Sequence, residues 1–363
     1  MTHSILHIIT TIDIGGAEKQ LLTLAACQNN AGFDVEVVFL KDKPALLKSF
    51  LDVGVNVDSS FAQLGFLKQY LKLKRRTFPA NSVIHAHLPR AELLCALALK
   101  RKGFIVTRHN SEAFFPVAPA KLSKLLSRFV LKRAFTLITI SKAVESYLKS
   151  SGEMSGSQKN QVIYYGLRDT SVSPRDKQVG ASGPIQIGTV SRLVPQKNLP
   201  LLLCALKELN SDNLNSFNLT IVGTGHLETE LQSLSANLGI EKLVTWKGQL
   251  REVLHFYRSL DVFVLPSNYE GFGLVLLEAM SQEIPVIARR ISSIPEVIGD
   301  RHPGLLESNN PSELAMKIQA LIFDQDALMS CLEYQAKRLK EFPIEKSQRD
   351  HERLYLNLLN QTT

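Results

Sequence analysis

Cysteine is scarce in this chain, tryptophan occurs once, and no apolar run comes close to the length of a membrane span. The four cysteines, Cys27, Cys95, Cys204 and Cys331, are far apart in apolar helical surroundings. That placement fits buried free thiols in a reducing compartment, and it speaks against a disulfide scaffold or a cysteine metal cage. A spanning helix needs about 20 consecutive apolar residues, and the sequence offers none. No basic segment precedes the apolar run of MTHSILHIIT, which leads straight into a patterned domain. We read it as a first strand and not a signal peptide, and expect a cytoplasmic protein. Low-complexity tracts and short repeats are missing as well. With 45% hydrophobic and 21% charged residues, the chain is not a disordered polyelectrolyte.

What is there suits two domains, since 363 residues are long for a single core. Strand-like apolar runs recur in the first half as ILHIITTI, DVEVVFL, VIHAHL, FIVTRH, TLITIS and QVIYYG. Helical stretches such as AEKQLLTLAACQN and RAELLCALALKRK separate them. This alternation predicts a parallel sheet covered on both faces. The segment 168–184 is rich in Ser, Gly, Pro and charge and reads as a linker. The pattern restarts with IQIGTVS, LTIVGTG, VTWKG, DVFVLPS and PVIARR, and Pro311 behind Asn310 marks a helix start. We expect an α/β protein of two doubly wound, Rossmann-like domains facing a central cleft that holds the site. The boundaries read as 1–168, a linker at 169–183, a second domain at 184–340, and a final helix at 341–363 crossing back to the first domain. The net charge of +8 is uneven: residues 1–168 carry 23 Lys+Arg against 11 Asp+Glu, leaving 19 against 23 for the rest of the 42 and 34. A basic half joined to a mildly acidic one predicts a face that meets something anionic.

The most specific motif is PSNYEGFGLVLLEAM, which places Glu270 and Glu278 eight residues apart around Gly271-Phe272-Gly273. A strand ends at Pro266, and the glycines open onto a helix whose N-terminal N–H groups suit an anion such as phosphate. Two carboxylates there would not bind phosphate themselves; they suit the hydroxyls of a sugar and a ribose. Arg192 and Lys197, between a strand and a helix, form a candidate diphosphate clamp. Gly15 and Gly16 stand at the first strand-to-helix turn, where backbone can approach a ligand closely. His109 ends the strand FIVTRH and is a candidate for a substrate hydroxyl or for steadying positive charge, through its carbonyl or its ring; a loop residue facing solvent is the plainer reading. His85 and His87 share one strand face. A metal would want a third ligand that the pattern does not show, so a structural or outer role fits them better. GTGHLE, from Gly223, begins like a dinucleotide fingerprint but has Glu228 where the third glycine belongs. Asp324 and Asp326 read as a solvated helix end.

Two stretches, 64–76 and 119–135, are basic and amphipathic. In the second, Leu122, Leu125, Leu126 and Phe129 recur at helical spacing among Lys121, Lys124, Arg128, Lys132 and Arg133. Such helices can lie on an anionic membrane surface. A core-packed helix with a solvated outer face is the plainer reading, but both stretches fall in the basic half, and we place the membrane reading ahead of it.

Taken in order, the GGAEK loop, the TRH strand end, ISKAV at Ile140, Arg192 with Lys197, the GTG loop and the E-x7-E run resemble the retaining glycosyltransferases of family 4, with the GT-B fold, over nearly the whole chain. The resemblance implies a hexosyltransferase acting in bacterial surface-glycan assembly, such as lipopolysaccharide, O-antigen or capsule. Its donor would be a nucleotide-diphosphate sugar, UDP before GDP, carrying a hexose or N-acetylhexosamine. Its acceptor would be a glycan or a polyprenyl-diphosphate-linked glycan. Arg192 and Lys197 would bind the diphosphate, approached by Gly16. Glu270 would hold the sugar, with backbone contacts from Phe272, Gly273 and Leu274, and Glu278 would grip the ribose. Gly223 and Gly248 belong to donor-side loops, with the base near Trp246 to Gly248, and His109 would match the family's histidine at the sugar. Neither a metal nor another cofactor is implied, and no nucleic acid. The protein would be cytoplasmic, or peripheral on the inner membrane face. A nucleotide-sugar epimerase on the same fold and a non-catalytic glycan-binding partner subunit are the competing readings.

Overall fold

A computed structural model of the chain describes residues 3–100, 103–169, 183–211 and 217–362. Most of the expected linker, 170–182, therefore lies outside the described residues. The chain divides into two units, the first made of residues up to Arg168 together with those from Pro343 onward, the second of Asp169–Phe342.

The first unit runs β1 (Ser4–Ile9), α1 (Gly16–Asn30), β2 (Asp34–Phe39), α2 (Leu47–Asp52), β3 (Asn56–Asp58), α3 (Phe66–Arg75), β4 (Ser82–His87), α4 (Pro89–Ala98), β5 (Ile105–Arg108), α5 (Ala120–Arg133), β6 (Thr136–Thr139), α6 (Lys142–Ser150) and β7 (Asn160–Val162). Its seven strands lie in the order β3-β2-β1-β4-β5-β6-β7, and every pairing is parallel. β5 and β6 are buried at every position, as parallel strands covered on both faces must be. That double covering is why the sequence reads there as apolar runs and not as an alternation.

The second unit runs β8 (Ile185–Val190), α7 (Leu199–Leu209), β9 (Phe217–Val222), α8 (Glu228–Asn237), β10 (Val244–Trp246), α9 (Leu254–Arg258), β11 (Val262–Leu265), α10 (Leu274–Ser281), β12 (Val286–Arg289), α11 (Ile294–Ile298), β13 (Leu305–Leu306), α12 (Pro311–Phe323) and α13 (Gln325–Leu339). Its strand order is β10-β9-β8-β11-β12-β13, again parallel throughout. Gly188 in β8 lets α9 and the turn after it approach, because a Cβ there would stand 2.4 Å from Leu260 Cδ1 and 2.8 Å from Phe256 Cζ. Asn310 caps α12 through Ser312 N at 3.0 Å, and Asp324 caps α13 through the N–H groups of Asp326 and Ala327.

The last helix, α14 (Ile344–Thr362), returns to the first unit. Ile344 N donates to Leu167 O at 2.8 Å. Gly166 makes room for that crossing, since a Cβ there would lie 2.6 Å from Ile344 Cα. Leu354, Tyr355, Leu358 and Leu359 then pack against Ile5, Val83, Ile105 and Ile138 in one apolar cluster. Residues 343–363 add three basic and three acidic side chains, so the first unit keeps the charge excess of residues 1–168.

Two sequence expectations shift. QVIYYG is strand only as far as Val162, and the short β3 and β13 had no apolar run long enough to announce them.

Candidate functional site

Both sheets start near the middle and are wound outward in both directions, so each has a point where the order reverses: β1/β4 in the first unit and β8/β11 in the second. Ligands of such sheets bind beyond the strands' C-terminal ends at that point. In the second unit the expected donor residues gather on those loops. Arg192 and Lys197 follow β8, Gly223 follows β9, Gly248 follows β10, and Glu270 follows β11 just ahead of α10.

The loops after β8 and β11 are stitched together. Asn268 N donates to Gln196 O at 2.7 Å, Gln196 Nε2 to Tyr269 O at 2.9 Å, and Asn268 Nδ2 to Pro195 O at 3.1 Å. Within this frame Lys197 Nζ meets Glu270 Oε1 at 2.6 Å. Ser267 Oγ donates to the same oxygen at 2.6 Å, and Ser293 Oγ to the Glu270 carbonyl at 3.1 Å. A nearly buried carboxylate is thus held by a cation and a hydroxyl, as burial of a charge requires. Arg192 is exposed and reaches Gln196 Oε1 at 3.1 Å. The clamp cation and the sugar-side carboxylate, expected to serve separate parts of a ligand, are bonded to each other.

Glu278 lies in the second turn of α10, where Tyr257 OH donates to its Oε2 at 2.7 Å. Burial and the neighbouring Glu278 hold the Tyr257 phenol above its ordinary range, so it stays protonated and can only orient the carboxylate as a donor. Gly273 takes φ +92 as N-cap of α10, a left-handed conformation that suits glycine, and no side chain among the described residues caps this helix. Leu274 opens the helix, while the Phe272 side chain packs edge-on against Phe342 and leaves only its backbone to a ligand. The GTG glycines answer to packing. A Cβ on Gly223 would stand 1.8 Å from Ser191 O, and one on Gly225 2.2 Å from Leu193 O. Gly223 N donates to Gly248 O at 2.7 Å, tying the β9 and β10 loops together.

In the first unit Gly15 is the N-cap of α1, and a Cβ on Gly16 would meet nothing within 4 Å. His109 follows β5, and both of its ring nitrogens are engaged: Nε2 with His87 Nδ1 at 3.1 Å, and Nδ1 with the Tyr165 hydroxyl. The third imidazole that was not evident beside His85 and His87 is His7, brought opposite His85 by the β1/β4 register. Ligand atoms of His7, His85 and His87 lie within 4.8 Å of one another. Burial lowers His7 to about 4 and His109 to about 3, and holds His85 and His87 well below the usual imidazole value. Ser267, Gln196, Asn268 and Tyr257 were not singled out from the sequence. Ser267 and Asn268 stood inside the glutamate motif and Gln196 between Arg192 and Lys197, while Tyr257 lay in no recognised motif.

Two family models match one after the other: "Glycosyltransferase Family 4" over residues 14–169 and "Glycosyl transferases group 1" over 173–338. An uncharacterized glycosyltransferase of Methanocaldococcus jannaschii is 28% identical over 295 residues, 79% of this chain and 79% of its own length. The lipopolysaccharide core biosynthesis mannosyltransferase LpsB of Rhizobium meliloti is 26% identical over 252 residues, 64% of this chain and 68% of its own. Among solved structures, Anabaena HepE in complex with UDP-glucose superposes with a TM-score of 0.80 at 21% identity, covering 97% of this chain and 99% of its own. At that identity the likeness is one of fold.

Proposed function

The chain belongs to the glycosyltransferases of GT-B fold, and from that premise we propose that it is a retaining enzyme transferring a hexose or N-acetylhexosamine from a nucleotide-diphosphate sugar. The observation that carries this reading is the stitched pair of loops that holds Lys197 on Glu270 at the β8/β11 reversal. One such pair offers a cation for a diphosphate and a carboxylate for sugar hydroxyls within a few ångströms. The UDP-glucose held by HepE favours UDP as the base-bearing half. The likeness to LpsB favours an acceptor from surface-polysaccharide assembly.

In this mechanism Arg192 and Lys197 neutralise the diphosphate as the bond from the sugar's anomeric carbon to the phosphate oxygen breaks. Stabilising charge that develops in the transition state is a large catalytic contribution. The acceptor hydroxyl attacks from the face the diphosphate leaves, and its proton passes to a phosphate oxygen. Glu270 holds the sugar with backbone contacts at Phe272, Gly273 and Leu274; Glu278, steadied by Tyr257, takes the ribose. Gly223 and Gly248 border the base; in the first unit, His109 and the Gly15–Gly16 turn are the proposed substrate contacts. No metal has a part in this scheme. The acceptor is a glycan or a polyprenyl-diphosphate-linked glycan.

The first unit's surface supports a membrane-side acceptor. In α5 the inward positions include Ser123 and Ser127, while Leu122, Leu125 and Phe129 are 48%, 61% and 39% exposed beside the exposed Lys121 and Arg128. In α3, Leu67 and Leu71 face outward among Lys68, Lys72 and Lys74. We place the protein in the cytoplasm, peripheral on the inner face of the cytoplasmic membrane. Transfer or donor hydrolysis by wild type and Lys197→Ala, across a panel of nucleotide sugars, tests the reading. Loss of one such cation should lower turnover about a hundredfold with the fold retained. Near-wild-type turnover in the variant would overturn the clamp assignment.

A further inference from the structure

Gln28, near the end of α1 and fully buried, stands at the head of a chain of imidazoles. Its Oε1 lies 2.8 Å from His7 Nε2, and its Nε2 donates to the Tyr355 hydroxyl of α14 at 3.4 Å. A neutral imidazole has one donor and one acceptor nitrogen, and a carbonyl oxygen only accepts. His7 must then carry its proton on Nε2 and accept on Nδ1. His87 Nε2, 3.0 Å from that Nδ1, must donate. His87 is left to accept on Nδ1, so His109 Nε2 donates to it at 3.1 Å. The Tyr165 hydroxyl completes the chain by donating to His109 Nδ1. A second branch obeys the same logic. Tyr355, having accepted from Gln28, donates to His85 Nδ1 at 2.8 Å, and His85 Nε2 donates to Thr107 Oγ1 at 2.7 Å.

We propose that Gln28 is a positioning residue that, through His7 and His87, fixes His109 as the Nε2-protonated tautomer with both ring nitrogens bound inside the first unit. The inference rests on the proposed role of His109 as a substrate contact. It changes what His109 can do there: its ring has no spare nitrogen to give a hydroxyl, so its contribution comes from a locked ring and the main chain at the end of β5. A tautomer set by a buried partner is a known condition for a histidine to act in one role only. The other use of the cluster, a three-histidine metal site, would take the same nitrogens and break the chain.

The test begins with wild-type protein carrying 15N-labelled histidine, read by long-range proton–nitrogen correlation near neutral pH, with assignments from His7→Gln and His109→Gln. The expected result is neutral, Nε2-protonated rings for His7, His85, His87 and His109. An Nδ1-protonated or charged ring at His7, His87 or His109 overturns the proposal. So does one tightly held equivalent of zinc bound by these rings. Gln28→Met, which keeps volume and removes the acceptor, should give His109 a mixture of tautomers. It should also lower kcat about tenfold with the donor KM within about twofold, since a positioning loss falls on turnover. An unchanged kcat and a single His109 tautomer in Gln28→Met would refute it. The wild-type spectrum decides the tautomers even if that variant does not fold or if the protein transfers no sugar, so failure here is separable from failure of the transferase reading.

Discussion

Acidification should unfold the first unit well before the second. His7, His85, His87, His109 and His351 all belong to the first unit and are held neutral by burial, His7 and His351 at about 4 and His109 at about 3. The hydroxyls of Tyr165 and Tyr355, packed against these rings, stay protonated and bring no charge. At His109 burial acts first, and His351 and the Arg108 charge lower it further. Their folded values lie below the unfolded value of about 6.5. Stability from these groups is therefore complete above about pH 6.5 and is lost as pH falls toward 4, because only the unfolded chain binds the protons. From about pH 7.5 to about pH 5, His7, His109 and His351 cost roughly 2 kcal/mol each, about 6 kcal/mol together, and His85 and His87 add in the same direction. Glu92 works in the opposite direction. Burial pushes it up to about 7 against the pull of Arg108, so the folded state takes up its proton first and recovers about 2 kcal/mol over the same range. The remaining loss of about 4 kcal/mol, to which His85 and His87 add, is a large part of the whole stability of a domain. Among its described residues the second unit contains a single such histidine, His302, at about 4, and should lose about 2 kcal/mol. The one tryptophan, Trp246, reports on the second unit alone. Urea unfolding followed by Trp246 fluorescence and by far-ultraviolet circular dichroism should nearly coincide at the higher pH. Near pH 5 the dichroism should show an early transition that Trp246 does not see. Coincident curves at both pH values, with the first unit no weaker in acid, would refute the reasoning.

Tyr257→Phe should raise the donor KM by about tenfold with kcat little changed, since a hydrogen bond to a charged group is lost from ground and transition states alike; steady-state kinetics reads this directly. Gly223→Ala should destabilise the second unit by about 3 kcal/mol, because a Cβ would stand 1.8 Å from Ser191 O at φ +135; a thermal melt followed by Trp246 measures it. Co-sedimentation with vesicles should show binding to anionic and not to neutral lipid, weakened in Leu125→Glu; equal absence of binding to both would remove the membrane reading.

The parallel, doubly wound character of both sheets and the loops after β8 and β11 were legible because parallel strands buried on both faces leave apolar runs, and glycines and carboxylates mark the loops that succeed them. The helix start at Asn310 was legible for a local reason, a capping side chain next to the N–H groups it serves; Asp324, read as a solvated helix end, does the same for α13. The histidine chain was not. VIHAHL showed His85 and His87 on one face, but His7 sat unnoticed in ILHIITTI, since the register of β1 on β4 is a property of the sheet and not of either segment. Gln28 and Tyr355 are 327 positions apart, and nothing local links them. Tyr257 was hidden likewise, its hydroxyl reaching Glu278 from a helix of five residues.

Lys197 and Glu270 neutralise each other across 2.6 Å, and this has a bearing on turnover. In the proposed mechanism a loaded donor divides the pair, the diphosphate taking the ammonium and the sugar hydroxyls the carboxylate. The nucleoside diphosphate left after transfer can replace only half of what it displaced, and it leaves Glu270 beside an anion with no hydroxyl to bind. Re-formation of the pair then favours departure. In that mechanism the ion pair competes with both nucleotides for Lys197, and only the loaded donor offers Glu270 hydroxyls in return.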